Sequence, residues 1–486
     1  MNLSKTKYCS GLICKKKLWL DKNKHELKNG SGIDSILENG KEVGEIAKNY
    51  LGEHINIEYD ENKNNMLKAT EEACKNDNVV VTEASFNFDG NFCSVDLLKK
   101  EKDKYQIFEV KSSNDLLDIY IDDVTYQYFV LTSLGLKVSK CFVLHIDNTY
   151  VKNGDLELDK LFKKIDVTKE VKNRAKEIQK TIDELDEYLK KDEQEEKIDK
   201  KCFSPYECPF VGYCTKKLPK PNIFNVKRIK IDKKLSYYNE GFVSFEELLK
   251  SDIDDNSKEQ IEFELTGKKA KIEKEKIREF MKEIKYPIYF LDFETFQDAI
   301  PKYDNTSPYQ QIPFQYSLHY FLNTNCKLNH REFLSRDGID PRRKLAESLI
   351  KEIPDDVCVL AYNMSFEKMV IKDLAKQFPD LSDHLMKIHD NIRDLMIPFK
   401  ERWYYNKKMQ GSYSIKYVLP ALFPNDELLN YHNLENVHNG TEAMNAFKNL
   451  SKLNEQKKIE MRKSLLKYCE LDTFAMVKIW ELLKDI

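Results

Sequence analysis

The sequence predicts an α/β multidomain protein. Its 486 residues exceed what one hydrophobic core organises, so two or three domains are expected. Apolar runs with strand-like alternation occur in two widely separated regions. Each region carries its own acidic group, one around Asp96 and Glu109 and one around Asp292 and Glu294.

Charged residues make up 33% of the chain and mean hydropathy is −0.62, values of a water-soluble protein. No stretch approaches the ~20 apolar residues of a membrane span, and Met1-Asn-Leu-Ser-Lys-Thr-Lys7 lacks the apolar core of a signal peptide. A cytoplasmic location is expected, with no membrane partner. In that compartment the eleven cysteines read as thiols or metal ligands rather than disulfides. Net charge is −3, yet residues 1–28 hold eight lysines and the stretch Thr215–Leu235 holds eight Lys or Arg. Such patches can neutralise phosphates or form a solvated surface.

The first elements are strands at Val79–Phe86 and Phe92–Leu98, a polar turn at Lys99–Lys104 and a strand at Tyr105–Lys111. Folding this hairpin brings Asp96 nearly opposite Ile107 to Glu109. Glu109 and Lys111 alternate with Phe108 and Val110, so both leave one face. Two carboxylates and an ammonium at one edge make a metal site with a water-positioning cation, or else the wet face of an amphipathic hairpin. Asp123–Leu131 reads as a helix with Gln127 toward that face. A charged helix around Lys169–Lys200 follows, its apolar stripe formed by Ile178, Ile182, Leu185 and Leu189.

Asp96, Glu109-x-Lys111 and the Gln127 helix together resemble the RecB-family PD-(D/E)xK nucleases, which have a restriction-endonuclease-like fold. The resemblance implies metal ligation by Asp96 and Glu109, with Lys111 and Gln127 in support. This chain departs from it at Leu131, where a tyrosine is usual. It also lacks the upstream histidine, where Glu42 or Glu45 stands nearby.

Cys202, Cys208 and Cys214 recur every six residues on a segment that Pro205 and Pro209 keep from forming an ordinary helix. Close-spaced thiols on such backbone are a ligand arrangement. Cys14 and Cys9 are the candidates for a fourth ligand. With Cys14 in Gly11-Leu-Ile-Cys14-Lys-Lys-Lys-Leu-Trp-Leu20, the layout resembles the iron–sulfur RecB-like nucleases, including CRISPR-associated ones. It implies a [4Fe–4S] cluster on Cys14, Cys202, Cys208 and Cys214, with zinc as the alternative. Cys74, Cys93, Cys141, Cys326, Cys358 and Cys469 read as buried small apolar residues.

A basic, largely helical connector follows, with a capped helix at Val243–Leu249. Strands are expected at Tyr286–Asp292, Phe314–Phe321, Asn329–Leu334 and Val357–Ala361, and helices after Ser365 and Glu460. Asp292 and Glu294, two apart on a strand, share a face. So do Tyr468 and Asp472, four apart on a helix. Gathered carboxylates repel unless divalent cations such as Mg²⁺ or Mn²⁺ neutralise them. Asp292-x-Glu294, Asn363-x-x-Phe366-Glu367 and Tyr468-x-x-x-Asp472 resemble, in order, the three motifs of the DnaQ-like 3′→5′ exonucleases, which have an RNase H-like fold. Here Glu367 stands where that family usually has Asp. The resemblance implies that Asp292, Glu294, Glu367 and Asp472 hold two metals while Tyr468 orients water. Asp394 reads as a further ligand or as a cap.

The expected domains are 1–218, 219–285 and 286–486. The whole resembles an uncharacterised bacterial family that fuses an iron–sulfur RecB-like nuclease to a DnaQ-like exonuclease. Gly411–Leu422 shares that resemblance, although a glycine-led loop packed on the core explains it equally. The expected function is a metal-dependent DNA nuclease in repair, recombination or defence. The alternatives are an RNA-processing exonuclease and a non-catalytic nucleic-acid-binding scaffold.

Overall fold

The computed structural model describes residues 3–29 and 34–486. The chain is a mixed α/β protein that divides into two units. One comprises Met1–Lys217 with Asp298–Gln310, the other Leu218–Gln297 with Gln311–Ile486. Among the described residues, no helix is long and apolar enough to cross a membrane.

The first unit is built on a six-stranded sheet ordered β1 (Ile55–Asn56), β2 (Val79–Phe88), β3 (Asn91–Glu101), β4 (Lys104–Lys111), β5 (Lys137–Ile146) and β6 (Phe162–Asp166). β2, β3 and β4 form an antiparallel meander. β4 and β5 are parallel, which requires a crossover, and the helix Asp118–Ser133 supplies it. The Lys99–Lys104 turn expected from the sequence is shorter. Lys99 and Lys100 stay paired with Gln106 and Tyr105, so only Lys102 and Asp103 remain to turn the chain. The crossover helix begins five residues before Asp123, after Leu117. The expected charged helix is also broken. It runs from Ile178 to Lys190, and residues 191–199 are not helical. Its Ile178, Ile182, Leu185 and Leu189 are buried as the stripe requires. The first helix, Lys5–Ile13, packs closely against it. A Cβ on Gly11 would meet the Leu185 methyls at 2.7 and 2.8 Å, so any larger residue there requires Leu185 to shift.

The second unit opens with helices in the 218–285 region and a short strand, β7 (Ala270–Ile272). Ser244 begins the capped helix with a reciprocal Glu247 bond, as the Ser-x-x-Glu spacing implies. A five-stranded sheet follows: β8 (Ile288–Phe296), β9 (Ile312–Phe321), β10 (Asn329–Leu334), β11 (Cys358–Ala361) and β12 (Ile392–Asp394), in the order β10-β9-β8-β11-β12. β8, β9 and β10 are antiparallel, and β11 and β12 run parallel to β8. β13 (Tyr404–Asn406) pairs with β7. β8 continues to Phe296, so Asp292 and Glu294 lie inside the strand rather than at its end.

The C-terminal helix, Glu455–Lys484, is capped by Asn454, whose side chain accepts from Lys457 N–H. Its rotation is fixed by β9. Gln315, Ser317 and His319 alternate onto one face of that strand. Gln315 Nε2 donates to Leu465 O at 2.8 Å, and Ser317 and His319 meet Thr473 Oγ1 at 2.7 and 2.8 Å. Because Ser317 and Gln315 register with Asp292 and Glu294, the same face brings helix and acids together.

Candidate functional site

The densest chemistry lies in the second unit. Asp292 and Glu294 leave the helix-facing side of β8. Asp472, Tyr468 and Cys469 approach from the C-terminal helix, and Glu367 from the first turn of the helix Ser365–Gln377. A helix N-terminus favours a carboxylate there. Asn363, at φ 73°, shapes the turn that precedes it, a conformation asparagine tolerates. Asp394 Oδ1 accepts from Asn363 N–H at 3.0 Å and Met396 N–H at 2.9 Å, so Asp394 fastens that turn in the manner of a cap.

Ligand atoms of Asp292, Glu294 and Cys469 lie within 4.8 Å of one another. Cys469 is therefore more than buried filler: its Sγ sits 3.8 Å from Asp292 Oδ2. Glu367 is 2% exposed, and its Oε2 has no hydrogen-bond partner among the described residues. Burial, joined by the neighbouring carboxylates, pushes Asp292 and Glu294 well above the usual carboxylate range. Burial and Asp394 raise Glu367 to about 8. Asp472 reaches about 6, because burial outweighs the hydrogen bond from Tyr431 and the charge of Lys416. Four crowded acids and an orphaned buried oxygen form a site suited to divalent cations. Tyr468 is buried beside Asp472, and burial with that charge keeps its hydroxyl protonated.

Two residues here carried no strong sequence signal. Tyr431 OH donates to Asp472 Oδ1 at 2.5 Å. Lys416 is exposed, has no hydrogen-bond or ion-pair partner among the described residues, and draws down Glu294 and Asp472 electrostatically. The glycine that leads the Lys416 segment has a structural explanation. Gly411 has φ +77°, and a Cβ there would meet Gln260 Oε1 at 2.1 Å.

In the first unit, Asp96 lies one step beyond the last registered pair of β3 and β4, Leu97 with Phe108, which sets it across from Glu109. Its Oδ2 accepts from Val110 N–H at 2.7 Å. Glu109 is 1% exposed and fully engaged. It accepts from Lys111 Nζ at 2.8 Å, from Gln127 Nε2 at 2.5 Å, and from Lys5 Nζ at 2.9 and 3.2 Å. Lys111 also pairs with Asp123. Burial opposes ionisation of Glu109, yet Lys111 and Lys5 outweigh it and hold the group at about 2. Burial and Glu109 raise Asp96 to about 7.

Lys5 and Asp123 come to this site through long-range packing that no local spacing announces. Glu83 is a further acidic neighbour of Asp96, and Glu45, which pairs with Lys48 at 2.7 Å, acts on Glu83 in turn. Glu83 falls between the registered pairs Thr82–Leu97 and Ala84–Val95, opposite Asp96, at a strained φ of 57°. A metal ion on Asp96 and Glu109 must therefore displace Lys5 from Glu109.

Cys14 ends the first helix and caps the next, Lys15–Asn23, by accepting from Lys17 N–H at 3.4 Å. Cys202, Cys208 and Cys214 lie near it. Cys208 N–H bonds Cys202 O at 2.9 Å, and Cys14 and Cys208 each raise the Cys202 and Cys214 thiols electrostatically. Burial is the larger cause and lifts Cys202 to about 11. These four half-buried free thiols are the candidate ligand set of this unit. Cys9 belongs elsewhere, because its Sγ donates to Asp123 Oδ1 at 3.0 Å. Cys74, Cys326 and Cys358 are only partly buried, unlike Cys93, Cys141 and Cys469.

The model of a domain of unknown function, DUF2779, matches residues 289–414. That span holds Asp292, Glu294, Glu367 and Asp394 and stops short of Tyr468 and Asp472. The chain is similar to the Uncharacterized protein MG366 homolog of Mycoplasma pneumoniae, 26% identical over 228 residues, 43% of this chain and 34% of that protein. It is also similar to the Uncharacterized protein MG366 of Mycoplasma genitalium, 27% identical over 220 residues, 42% of this chain and 32% of that protein. The chain thus spans about a third of the length of these relatives. No solved structure matches it.

Proposed function

We propose that the chain is a metal-dependent nuclease whose second unit removes nucleotides from the 3′ end of DNA. The observation that carries this is the convergence of Asp292, Glu294, Glu367 and Asp472 with Tyr468, a group whose acids have no ammonium in contact among the described residues. Such a site is electrostatically incomplete without cations. The strand order of the sheet supports the RNase H-like reading, and the β2-β3-β4 meander with its helical crossover to β5 supports the restriction-endonuclease-like one.

Mg²⁺ or Mn²⁺, held by the four acids, supplies charge neutralisation and Lewis acidity at the scissile phosphate. The chain's own groups do the positioning. Tyr468 stays protonated, so it orients the attacking water and does not take its proton. Hydrolysis forms a bond from the water oxygen to phosphorus and breaks the P–O3′ bond. The water's proton leaves to solvent, and the 3′ oxygen is protonated from solvent. Tyr431 holds Asp472 in place. In the first unit, the corresponding roles fall to Asp96 and Glu109 as ligands, Lys111 beside the developing charge and Gln127 as support. Cys14, Cys202, Cys208 and Cys214 hold a [4Fe–4S] cluster, or zinc, that joins the ends of that unit.

The test is digestion of end-labelled single- and double-stranded DNA and RNA with Mg²⁺ or Mn²⁺. Asp292→Asn, made in a Lys111→Ala background, should abolish release of terminal nucleotides while binding persists. Undiminished release by that double variant would sink the assignment. Release from RNA alone would move the substrate to RNA.

A further inference from the structure

We propose that the cleft walled by Lys416, Pro420, Phe423, Leu429, Tyr431 and His438 seats the terminal nucleotide of the substrate, with Lys416 on its phosphate. This deepens the exonuclease reading and rests on it. The cleft encloses about 600 Å³, within the roughly 300–1,000 Å³ of small-ligand sites. It adjoins the carboxylates through Tyr431, whose ring lines it and whose hydroxyl bonds Asp472 at 2.5 Å. Glu294 lies against the following segment, where a Cβ on Gly440 would stand 3.7 Å from its Oε2.

The lining divides by chemistry. Pro420, Phe423, Pro424 and Leu429 offer an apolar wall to a base, and Phe423, half-exposed, offers a ring face. Base–aromatic stacking is tolerant of sequence, as terminal release from any end requires. Lys416 stands on the first turn of the helix Ile415–Leu422. An exposed ammonium that acts on Glu294 and Asp472, yet pairs with neither, leaves room for a group between them. A phosphate fits there, anionic toward Lys416, and divalent cations on the carboxylates would neutralise its remaining charge. The acids at the rim do not compete for it equally: Asp426 is already bonded to Leu428 N–H at 3.0 Å.

The experiment uses the full chain with Mg²⁺ and thymidine 5′-monophosphate, followed by calorimetry and by inhibition of terminal release. Lys416→Met changes an exposed side chain and Phe423→Ala a half-buried one that packs on the core, so melting curves check the fold of each. Each should weaken monophosphate binding about tenfold or more, and Lys416→Arg should restore part of it. Lys416→Met should also lower kcat, because the same charge faces the reacting phosphate. If both variants bind the monophosphate as wild type does while Asp292→Asn abolishes release, the cleft assignment falls and the exonuclease reading stands. If Asp292→Asn in the Lys111→Ala background still releases nucleotides, the exonuclease reading falls, and loss of monophosphate binding in the two variants still supports the cleft.

Discussion

Glu367 makes the metal-free protein a pH-sensitive one. Its carboxyl is 2% exposed, carries an oxygen without a hydrogen-bond partner among the described residues, and is raised by burial and Asp394 to about 8. A raised carboxyl binds its proton more tightly in the folded chain than in the unfolded one. The associated stability is complete below the unfolded value of about 4.3 and is lost as pH rises to about 8. Each unit is worth about 1.36 kcal/mol, so moving from about pH 5.5 to about pH 8 removes about 3 kcal/mol through Glu367 alone. Asp292, Glu294 and Asp472 act in the same direction. For a domain of this size, 3 kcal/mol corresponds to roughly 6–12 °C in Tm. The assay is thermal unfolding with EDTA at the two pH values, for wild type and Glu367→Gln. The variant cannot ionise there, so its Tm should fall less by about that amount. Mg²⁺ at about 100 times its Kd should return about 2.7 kcal/mol to the wild type at the higher pH. Equal pH dependence in wild type and variant would refute the reasoning.

Three further outcomes are expected. Lys5→Met should strengthen Mn²⁺ binding at the first unit about tenfold, near 1.4 kcal/mol, because the ammonium no longer occupies Glu109; titration followed by electron paramagnetic resonance in an Asp292→Asn background reads this, and unchanged affinity counts against displacement. Lys111→Ala leaves Asp123 without its lysine and Glu109 with Lys5 alone, so it should destabilise the first unit by less than the roughly 3–5 kcal/mol of a fully orphaned buried charge, visible in denaturant unfolding, while sparing the release that depends on Asp292. Protein purified anaerobically should be brown with about four irons per chain, and Cys208→Ala should lose the colour and lower the unfolding midpoint of the first unit; colourless protein with one zinc would replace the cluster by that metal.

Local geometry was readable from sequence wherever a backbone period sets it. Period two placed Asp292 with Glu294 and Glu109 with Lys111. The helical period placed Tyr468 with Asp472, and Gln127 reached Glu109 from its helix. Element ends were less readable. Lys99 and Lys100 look like turn residues by composition, yet ladder pairing with Gln106 and Tyr105 keeps them in β3. What the tertiary structure alone decided was which distant groups complete each site. Lys5 reaches Glu109 across 104 residues, Tyr431 reaches Asp472 across 41, and Cys469 meets Asp292 across 177. Chain periodicity carries no information over such separations. They depend on packing, as where the absent side chain of Gly11 brings the Lys5 helix onto Leu185, and where Gln315, Ser317 and His319 set the rotation of the C-terminal helix. The two acidic groups accordingly look alike in sequence and differ in space. One is neutralised from within by two lysines, while the other has no ammonium in contact among the described residues, because only the folded chain determines where a distant charge comes to rest.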